Sequence, residues 1–593
     1  MAEIDSINIK TKWIYRIFFI FVILIAAFCI RWQVINASEF KEISDNRVVF
    51  SLKSFRGSIY AKDGSPLAFS EPRFDLYIWL PGVKFYENQN LQTRDELIRK
   101  LQPYTDMTQE ELGELMTDYD EVDIGWFRIA RSLTEDEWRS INSLTTDSHD
   151  TFKLQGLNFE ITSERVYPEK ELASQLIGLV NKEEGLTYGI SGLEAYWNGD
   201  LKPKEGLVIE EADATGRAIA TALVPTIEPQ AGSELYTSID IRIQRLVEKE
   251  LKRIVEQYEA KSGSVVIMDP KTGEIISLAN YPTYDPNTRE GDENDFSNVS
   301  IYDPIEIGSI IKTITLSAAI DQGLIEGDTM ILPEGHPGYV YVADDFGLDG
   351  NAWTWDRNPQ GPMNAETCFI KSDNVCFIEI GRLMEDKSFY DYLYKFGLGE
   401  ISGIDLVGES NGVLKSYEDW DLADEATFTY GHGLSVNMVQ ATSMVAVIPN
   451  RGVRMQPHIV TKVVKDDGEV QIMDPTPVAE VISERTAIIM MDIMKKTYQN
   501  NITESYYMHL KDYNVGWKTG SALIADPNNL ECPYCTGLLN NSIIGFDASP
   551  NPKFVMSLRL EEPNGGLSYY NVRPAWLDIF NVIKDELGMM PLN

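Results

Sequence analysis

Basic residues are scarce in this chain of 593 residues. Lysine and arginine together number 52, against 91 aspartate and glutamate residues, which gives a formal net charge of −39 at pH 7. So negative a chain repels a phosphate backbone and offers no basic stripe that could bind one. The composition excludes nucleic acid as a partner. Because the acidic residues are spread along the whole chain, they identify no substrate.

Cysteine and histidine are also rare, with five residues of each. Cys29 lies in an apolar run, Cys368 and Cys376 flank a Ser-Asp-Asn tripeptide, and Cys532 and Cys535 form a C-x-x-C pair. This is too sparse for a disulfide scaffold. A zinc site at the C-x-x-C pair would need two further ligands that the sequence does not offer, so we expect a local disulfide or free thiols there. The sequence contains no H-E-x-x-H motif, and we predict no metal site.

Charged residues are absent from one stretch near the N-terminus, Ile17 to Ile30, which is rich in Phe, Ile, Leu and Val. Arg16 and Arg31 flank it, and aromatic neighbours extend the segment over residues 13–35, so a helix of about 20 residues can cross a bilayer. No small-x-small cleavage site follows cleanly. We expect an uncleaved signal anchor with residues 1–12 in the cytoplasm and the bulk of the chain outside. A cleaved signal peptide and a buried helix are the alternatives.

The length predicts several domains. Residues 36–232 show short strand patterns and glycine-containing turns, with an α-rich insertion over about 85–150. From residue 233 to 593, strands and helices alternate, beginning with a helix from Ile241 to about Glu256. This second pattern predicts a mixed sheet with helices packed on it. Two capping boxes predict helices in the insertion: Thr108–Glu111 and Thr134–Glu137.

Three short motifs follow one another in the C-terminal region: Ser309-Ile310-Ile311-Lys312, Ser372-Asp373-Asn374 and Lys518-Thr519-Gly520-Ser521. Singly they are weak, because Ser435-Val436-Asn437 also fits S-x-N and Lys271-Thr272-Gly273 is a second K-T-G. That second K-T-G falls in the turn of a predicted hairpin. Order, spacing and context therefore carry the inference.

The first and third motifs suit acyl transfer to a serine. Ser309 follows a glycine and opens an apolar helical segment, which places Lys312 one turn further on the same face. Partial burial beside another cation would lower the pKa of Lys312 enough for it to act as a base toward Ser309. Lys518, on a predicted strand, can bind a carboxylate. The backbone N–H groups of Ser309 and Ser521 could together stabilise a tetrahedral oxyanion.

The order and spacing of the motifs are those of penicillin-recognising serine enzymes. More closely, the chain resembles the class B penicillin-binding proteins, the monofunctional transpeptidases, over nearly its whole length. Further stretches that match this family are Arg56 to Ala68, Arg165 to Pro168, Gly192 to Glu194, Phe396 to Gly399 and Ala426 to Leu434. The last of these resembles the septal, cell-division branch more than the elongation branch.

The resemblance implies a fold and a location. The fold is a single N-terminal transmembrane helix, a β-rich α+β pedestal of the dimerisation type over residues 36–232, and a transpeptidase domain over 233–593. In that domain a central antiparallel sheet is flanked by helices. The location is the inner (cytoplasmic) membrane, with the catalytic domain extracytoplasmic. The implied partners are a polytopic glycan-polymerising membrane protein and other division proteins.

The resemblance also implies an activity. Ser309 would be acylated by the D-Ala-D-Ala end of a peptidoglycan stem peptide, with release of D-Ala, and an amine of a neighbouring strand would then take the acyl group. This would serve septal wall synthesis during cell division. β-Lactams would acylate the same serine, and no cofactor is implied. The implied catalytic residues are Ser309, Lys312, Ser372, Asn374 and Lys518, and the implied substrate-binding residues are Thr519, Gly520 and Ser521.

Two departures from the family pattern stand near the motifs. Ile307 occupies a position where the family often has proline, and Asp373 replaces a small residue in the middle of S-x-N. An Asp373 carboxylate that faced the site would change the pKa of Lys312 or Lys518. Two alternatives stay open. One is a D,D-carboxypeptidase or β-lactamase, which gives the acyl group to water, and the other is a catalytically idle membrane-anchored scaffold or β-lactam sensor.

Overall fold

The computed structural model describes residues 13, 16, 18–28, 30, 31, 47–88, 93–118, 126–145, 156–183, 186–211, 226–336, 361–524 and 537–592. Within these residues, no helix is both long enough and apolar enough to cross a membrane. Residues 18–28 of the predicted anchor are helical. Several other residues of that anchor lie outside the described residues, as do Cys532 and Cys535.

The regular elements are numbered in chain order. The strands are β1 (Arg47–Leu52), β2 (Ile59–Tyr60), β3 (Pro66–Trp79), β4 (Trp126–Leu133), β5 (Leu157–Val166), β6 (Val180–Glu183), β7 (Leu186–Gly189), β8 (Gly206–Glu211), β9 (Thr226–Ile227), β10 (Glu234–Thr237), β11 (Ser262–Met268), β12 (Ile275–Tyr281), β13 (Met330–Leu332), β14 (Met363–Asn364), β15 (Val453–Met455), β16 (Val460–Val464), β17 (Val470–Ile472), β18 (Pro477–Glu480), β19 (Val515–Leu523), β20 (Leu539–Asp547) and β21 (Val555–Glu561). The α-helices are α1 (Leu80–Asn88), α2 (Arg94–Leu101), α3 (Gln109–Asp118), α4 (Glu135–Thr145), α5 (Ser174–Ile177), α6 (Gly192–Tyr196), α7 (Asn198–Leu201), α8 (Ile241–Gln257), α9 (Val299–Tyr302), α10 (Lys312–Asp321), α11 (Ala365–Lys371), α12 (Asn374–Gly381), α13 (Asp386–Phe396), α14 (Leu422–Thr427), α15 (Met438–Ala446), α16 (Glu484–Asn501) and α17 (Val572–Ile583).

Two compact units divide the chain. The smaller unit draws on residues 1–54 and 204–230, and the larger on residues 55–203 and 231–593. The smaller unit contains a three-stranded antiparallel sheet in the order β1-β8-β9. The sheets and the site described below all belong to the larger unit.

A seven-stranded sheet crosses the predicted boundary at residues 232 and 233. Its order is β17-β16-β10-β2-β3-β4, with β5 also paired to β3. Strand β10 follows the boundary, yet it pairs in parallel with β2, with Leu235 opposite Ile59. The start of the second predicted domain is thus hydrogen-bonded into the sheet of the first.

The α-rich insertion has the predicted helices. In both capping boxes the bonds run in each direction: Thr108 N–H donates to Glu111 Oε2 at 2.7 Å and Glu111 N–H to Thr108 Oγ1 at 3.2 Å. The corresponding distances between Thr134 and Glu137 are 2.8 and 3.3 Å. Reciprocal bonds of this kind satisfy two helix-start donors, which explains why α3 and α4 begin where they do. The insertion also contains strand β4, which was not predicted.

A buried ion cluster ties three of the matched N-terminal stretches together. Arg56 Nε and Arg165 Nε each lie 2.6 Å from one carboxylate oxygen of Glu194. The Glu194 side chain is fully buried. Since an unpaired buried charge is costly, loss of either arginine would destabilise this junction.

The C-terminal part is built on a five-stranded antiparallel sheet in the order β12-β11-β21-β20-β19. Along β11, Val265 and Ile267 belong to the hydrophobic cluster that contains residues of α8 and α17. The alternate residues Val266 and Met268 belong to the cluster that contains residues of α10 and α15. This alternation places helices on both faces of the sheet, so the predicted central antiparallel sheet flanked by helices is confirmed. Strand β19, which carries the K-T-G motif, is an edge strand.

Candidate active site

Ser309 lies in a short 3-10 turn, Gly308–Ile311, that runs directly into helix α10. Gly308 has φ +53°, and a Cβ on it would lie 2.5 Å from the carbonyl oxygen of Ser521. Only glycine allows this backbone conformation and this close approach together. The turn therefore packs against β19, and it holds Ser309 half-buried beside the K-T-G strand.

Lys312 is fully buried and contacts the second motif. Its Nζ donates to the Ser372 carbonyl oxygen at 2.7 Å and to Asn374 Oδ1 at 2.5 Å, and lies 3.3 Å from Ser372 Oγ. Burial, and secondly the charge of Lys518, hold the pKa of Lys312 well below its ordinary value. A lowered pKa favours the neutral amine that a general base requires.

Lys518 approaches the same hydroxyl from the edge strand. Its Nζ donates to Ser372 Oγ at 2.9 Å and to the Thr519 carbonyl oxygen at 2.8 Å. Burial lowers the pKa of Lys518 to about 7. Ser372 Oγ thus lies between two lysine amines, and the pKa of each is lower than that of an exposed lysine.

The loop that carries Ser372 is held in an uncommon conformation. Ser372 has φ +56°, in the left-handed region, and it ends helix α11 just before α12 begins. A disulfide between Cys368 and Cys376, with a Cα–Cα distance of 5.8 Å, closes the chain around this residue. The sequence places the two cysteines on either side of the motif but does not by itself predict their pairing. Their position on either side of the motif was the available signal.

Asp373 does not act mainly on the lysines. Its Oδ1 accepts the backbone N–H of Cys376 at 2.9 Å, so the carboxylate caps helix α12. Its charge opposes the lowering of the Lys312 pKa, but burial and Lys518 outweigh it. The aspartate in the middle of S-x-N is therefore compatible with a neutral Lys312.

The rest of the K-T-G strand presents polar groups. Lys518 and Gly520 are buried, and Thr519 and Ser521 are half-buried. Ser521 Oγ accepts the backbone N–H of Ser568 at 3.0 Å. An edge strand with small residues can pair with the backbone of an extended peptide. Among the described residues there is no cluster of His, Cys, Asp and Glu that could hold a metal ion.

Known families match both parts of the chain. Residues 263–576, more than half of the chain, match the penicillin binding protein transpeptidase domain. The chain belongs to this family. Residues 51–237 of this penicillin-binding protein also match the penicillin-binding protein dimerisation domain. The combination identifies it as a class B penicillin-binding protein, as the motifs indicated.

Proteins similar to this penicillin-binding protein in sequence or in structure support the same family assignment. Peptidoglycan D,D-transpeptidase FtsI of Escherichia coli is 28% identical over 439 residues, which cover 73% of this chain and 68% of FtsI. Stage V sporulation protein D of Bacillus subtilis is 26% identical over 465 residues, 77% of this chain and 69% of that protein. The crystal structure of penicillin binding protein 2X from Streptococcus thermophilus superimposes with a TM-score of 0.73 at 20% identity, over 91% of this chain and 80% of the other.

The structure brings the three motifs of this penicillin-binding protein together. Lys312, Ser372, Asn374 and Lys518 form one hydrogen-bonded group. The turn with Ser309 packs against the strand of that group, through Gly308 and Ser521. The catalytic and binding roles assigned to these residues stay predictions.

Proposed function

We propose that this chain is a peptidoglycan D,D-transpeptidase that cross-links stem peptides through an acyl-enzyme on Ser309. The observation that carries the proposal is the pair of buried lysines, Lys312 and Lys518, on the Ser372 hydroxyl, with Lys312 one helical turn from Ser309. This is an arrangement for activating a serine and for returning its proton to a leaving group.

In acylation, the neutral Lys312 amine takes the proton of the Ser309 hydroxyl as Ser309 Oγ attacks the carbonyl of the penultimate D-Ala. The C–N bond to the terminal D-Ala breaks, and the proton passes through Ser372 to the departing amine. The backbone N–H groups of Ser309 and Ser521 stabilise the oxyanion. Charged Lys518, with Thr519 and Ser521, binds the terminal carboxylate.

Penicillin reacts with the same serine as the stem peptide, by the same first step. A β-lactam carbonyl acylates Ser309 by the same route, but ring opening leaves no separate leaving group. In the cross-linking reaction, the amine of a second stem peptide then attacks the ester, and Asn374 orients the donor stem. The acyl transfers use only side chains and backbone groups, with no cofactor.

We further propose a septal role and an anchored topology. The named similarity to a D,D-transpeptidase FtsI supports the septal role. The apolar sequence over residues 13–35 supports a single span, with residues 1–12 cytoplasmic and the catalytic domain outside the inner (cytoplasmic) membrane. The proposed pedestal covers 36–232 and the transpeptidase domain 233–593. The span and pedestal would contact a polytopic glycan-polymerising protein and other division proteins.

The experiment is intact-protein mass spectrometry of the extracytoplasmic part after exposure to a labelled penicillin. We expect one covalent adduct in the wild type, none in Ser309→Ala, and an unchanged adduct in the control Ser435→Ala, which alters the unused S-x-N. An adduct that persists for hours supports the transpeptidase. Rapid loss would instead indicate a hydrolase, and absence of any adduct from the wild type would favour an idle scaffold.

A further inference from the structure

Glu306, on the segment that leads into the Ser309 turn, pairs with His432 from a distant part of the chain. His432 Nδ1 lies 3.3 Å from Glu306 Oε2. The backbone N–H of Gly433 donates to the other oxygen, Glu306 Oε1, at 3.1 Å. The His432 and Glu306 side chains are 20% and 17% exposed, so a ligand can reach the pair, although the Glu306 Oε2 atom is itself buried.

Two backbone contacts fix the pair beside the nucleophile. Ile305 and Val436 exchange hydrogen bonds of 2.9 and 3.0 Å, which aligns the segment before Ser309 with the segment after His432. Gly431 has φ +98°, and a Cβ on it would lie 2.0 Å from the carbonyl oxygen of Gly308. His432 is therefore one residue from a contact with Gly308, and Glu306 is three residues before Ser309.

Acylation does not need this pair, because Lys312, Ser372 and Lys518 already account for its proton movements. The second half-reaction has a different requirement. A primary alkylamine has a pKa near 10, so the acceptor arrives as an ammonium ion and must lose a proton before it can attack. A carboxylate attracts that ion, and a neighbouring imidazole can accept its proton.

We propose that the His432–Glu306 pair binds the ammonium group of the acceptor stem peptide and takes its proton; this inference rests on the proposed transpeptidase function. The ammonium ion gives one proton to His432, and the free amine attacks the acyl carbonyl. The new C–N bond forms as the ester C–O bond to Ser309 breaks. The second amine proton reaches Ser309 Oγ through Lys312, and His432 releases its proton to water.

The test separates the two half-reactions in the purified full-length protein. A D-alanyl thioester serves as donor and D-alanine as acceptor amine, and the amide and acid products are measured together with the rate of labelled-penicillin acylation. His432→Gln and Glu306→Gln are compared with His509→Gln. His509 contacts Tyr506 and Asn581 rather than the Ser309 turn.

We expect His432→Gln to lower the ratio of amide to acid product by roughly 100-fold, the usual loss when a general base is removed. Glu306→Gln keeps an acceptor for the Gly433 N–H but loses the charge. It should raise the D-alanine concentration for half-maximal amide formation by about tenfold. Both variants should keep penicillin acylation within about threefold of wild type, and His509→Gln should change neither readout.

Three results would overturn the inference. The product ratio could be unchanged in both variants, which would exclude the pair from the acceptor step. Penicillin acylation could fall as far as amide formation, which would show that the pair only shapes the Ser309 turn. The wild type could pass the acyl group to water alone while still forming the penicillin adduct, and then the transpeptidase function would fail together with the inference.

Discussion

The chain contains the tripeptide Lys-Thr-Gly twice, in two environments that share almost nothing. Lys271 is exposed in the turn between β11 and β12, and its Nζ donates to Asn551 Oδ1 at 2.9 Å. Lys518 is buried on edge strand β19, with its amine on the Ser372 hydroxyl. The same three residues form a turn in one place and part of the candidate active site in the other. Burial and the neighbouring hydroxyl distinguish them, not the tripeptide.

The largest expected difference is in activity. Lys518→Ala removes the charge that we propose binds the carboxylate, and one partner of Ser372. We therefore expect labelled-penicillin acylation to slow by at least 100-fold, in the range found when one transition-state donor is lost. Lys271→Ala removes an exposed amine and should stay within about twofold of wild type. Both expectations are checked by the rate of adduct formation, which is measured by mass spectrometry of samples quenched at successive times.

A similar loss in both variants would contradict this comparison. It would mean that Lys271 supports the sheet that positions Ser309. Melting temperatures of the two proteins would then show whether the Lys271→Ala protein had lost its fold rather than its chemistry.

The second expected difference is in pH dependence. Because burial lowers the pKa of Lys518 to about 7, its amine loses its charge, which we propose binds the carboxylate, as the pH rises through that value. The second-order rate of penicillin acylation should therefore fall on the alkaline side of about pH 7, and protonation of Lys312 should make it fall on the acid side. In Lys518→Arg the guanidinium stays charged, so the alkaline fall should move to higher pH.

Lys271→Arg is the matched control, and its pH profile should equal that of the wild type. An alkaline fall that stays in place in Lys518→Arg would assign it to a group other than Lys518. The overall rate of Lys518→Arg does not decide the question, because the larger side chain alters packing at a buried position.

The features that could be predicted from the sequence depend on interactions between residues close together in the chain. The placement of Ser309 and Lys312 one helical turn apart depends on local spacing alone. The capping boxes at Thr108 and Thr134 are equally local, and both were predicted. That the three motifs meet in one site came from the family resemblance, since no local rule brings residues so far apart in the chain together.

The features that were not predicted depend on tertiary pairing. The bond between Cys368 and Cys376 spans the left-handed turn at Ser372, a conformation that serine seldom adopts and that composition does not signal. The parallel pairing of β10 with β2 joins segments far apart in the chain, and hydrophobic periodicity does not report such pairings. The His432–Glu306 pair likewise exists only because the Ile305 and Val436 segments lie side by side.

The disulfide offers a third way to sharpen the comparison, because it closes the loop that carries Ser372, whose hydroxyl Lys518 contacts and Lys271 does not. The double variant Cys368→Ser, Cys376→Ser frees the loop that holds Ser372, so we expect penicillin acylation to slow by about tenfold through misplacement of its hydroxyl. A disulfide that closes so short a loop stabilises the fold by about 2.5 kcal/mol, so its removal should also lower the melting temperature. A lower melting temperature with an unchanged acylation rate would restrict the disulfide to a structural role.

The smallest expected effect is on stability, and its sign is opposite to that on activity. The pKa of Lys518 is about 7 in the folded chain and that of a lysine in an unfolded chain is near 10, so the unfolded state binds more protons between these values. The cost of burying the charged amine is fully present below about pH 7 and disappears as the pH rises toward 10. Lys518→Met should therefore melt at a higher temperature than wild type at pH 6, by roughly 3 °C for each kcal/mol recovered, and the advantage should shrink by pH 9.5. Lys271→Met should show no such pH-dependent difference. If Lys518→Met were less stable than wild type at pH 6, the hydrogen bonds to Ser372 and Thr519 would outweigh the cost of burial, and the lysine would stabilise the site that it serves.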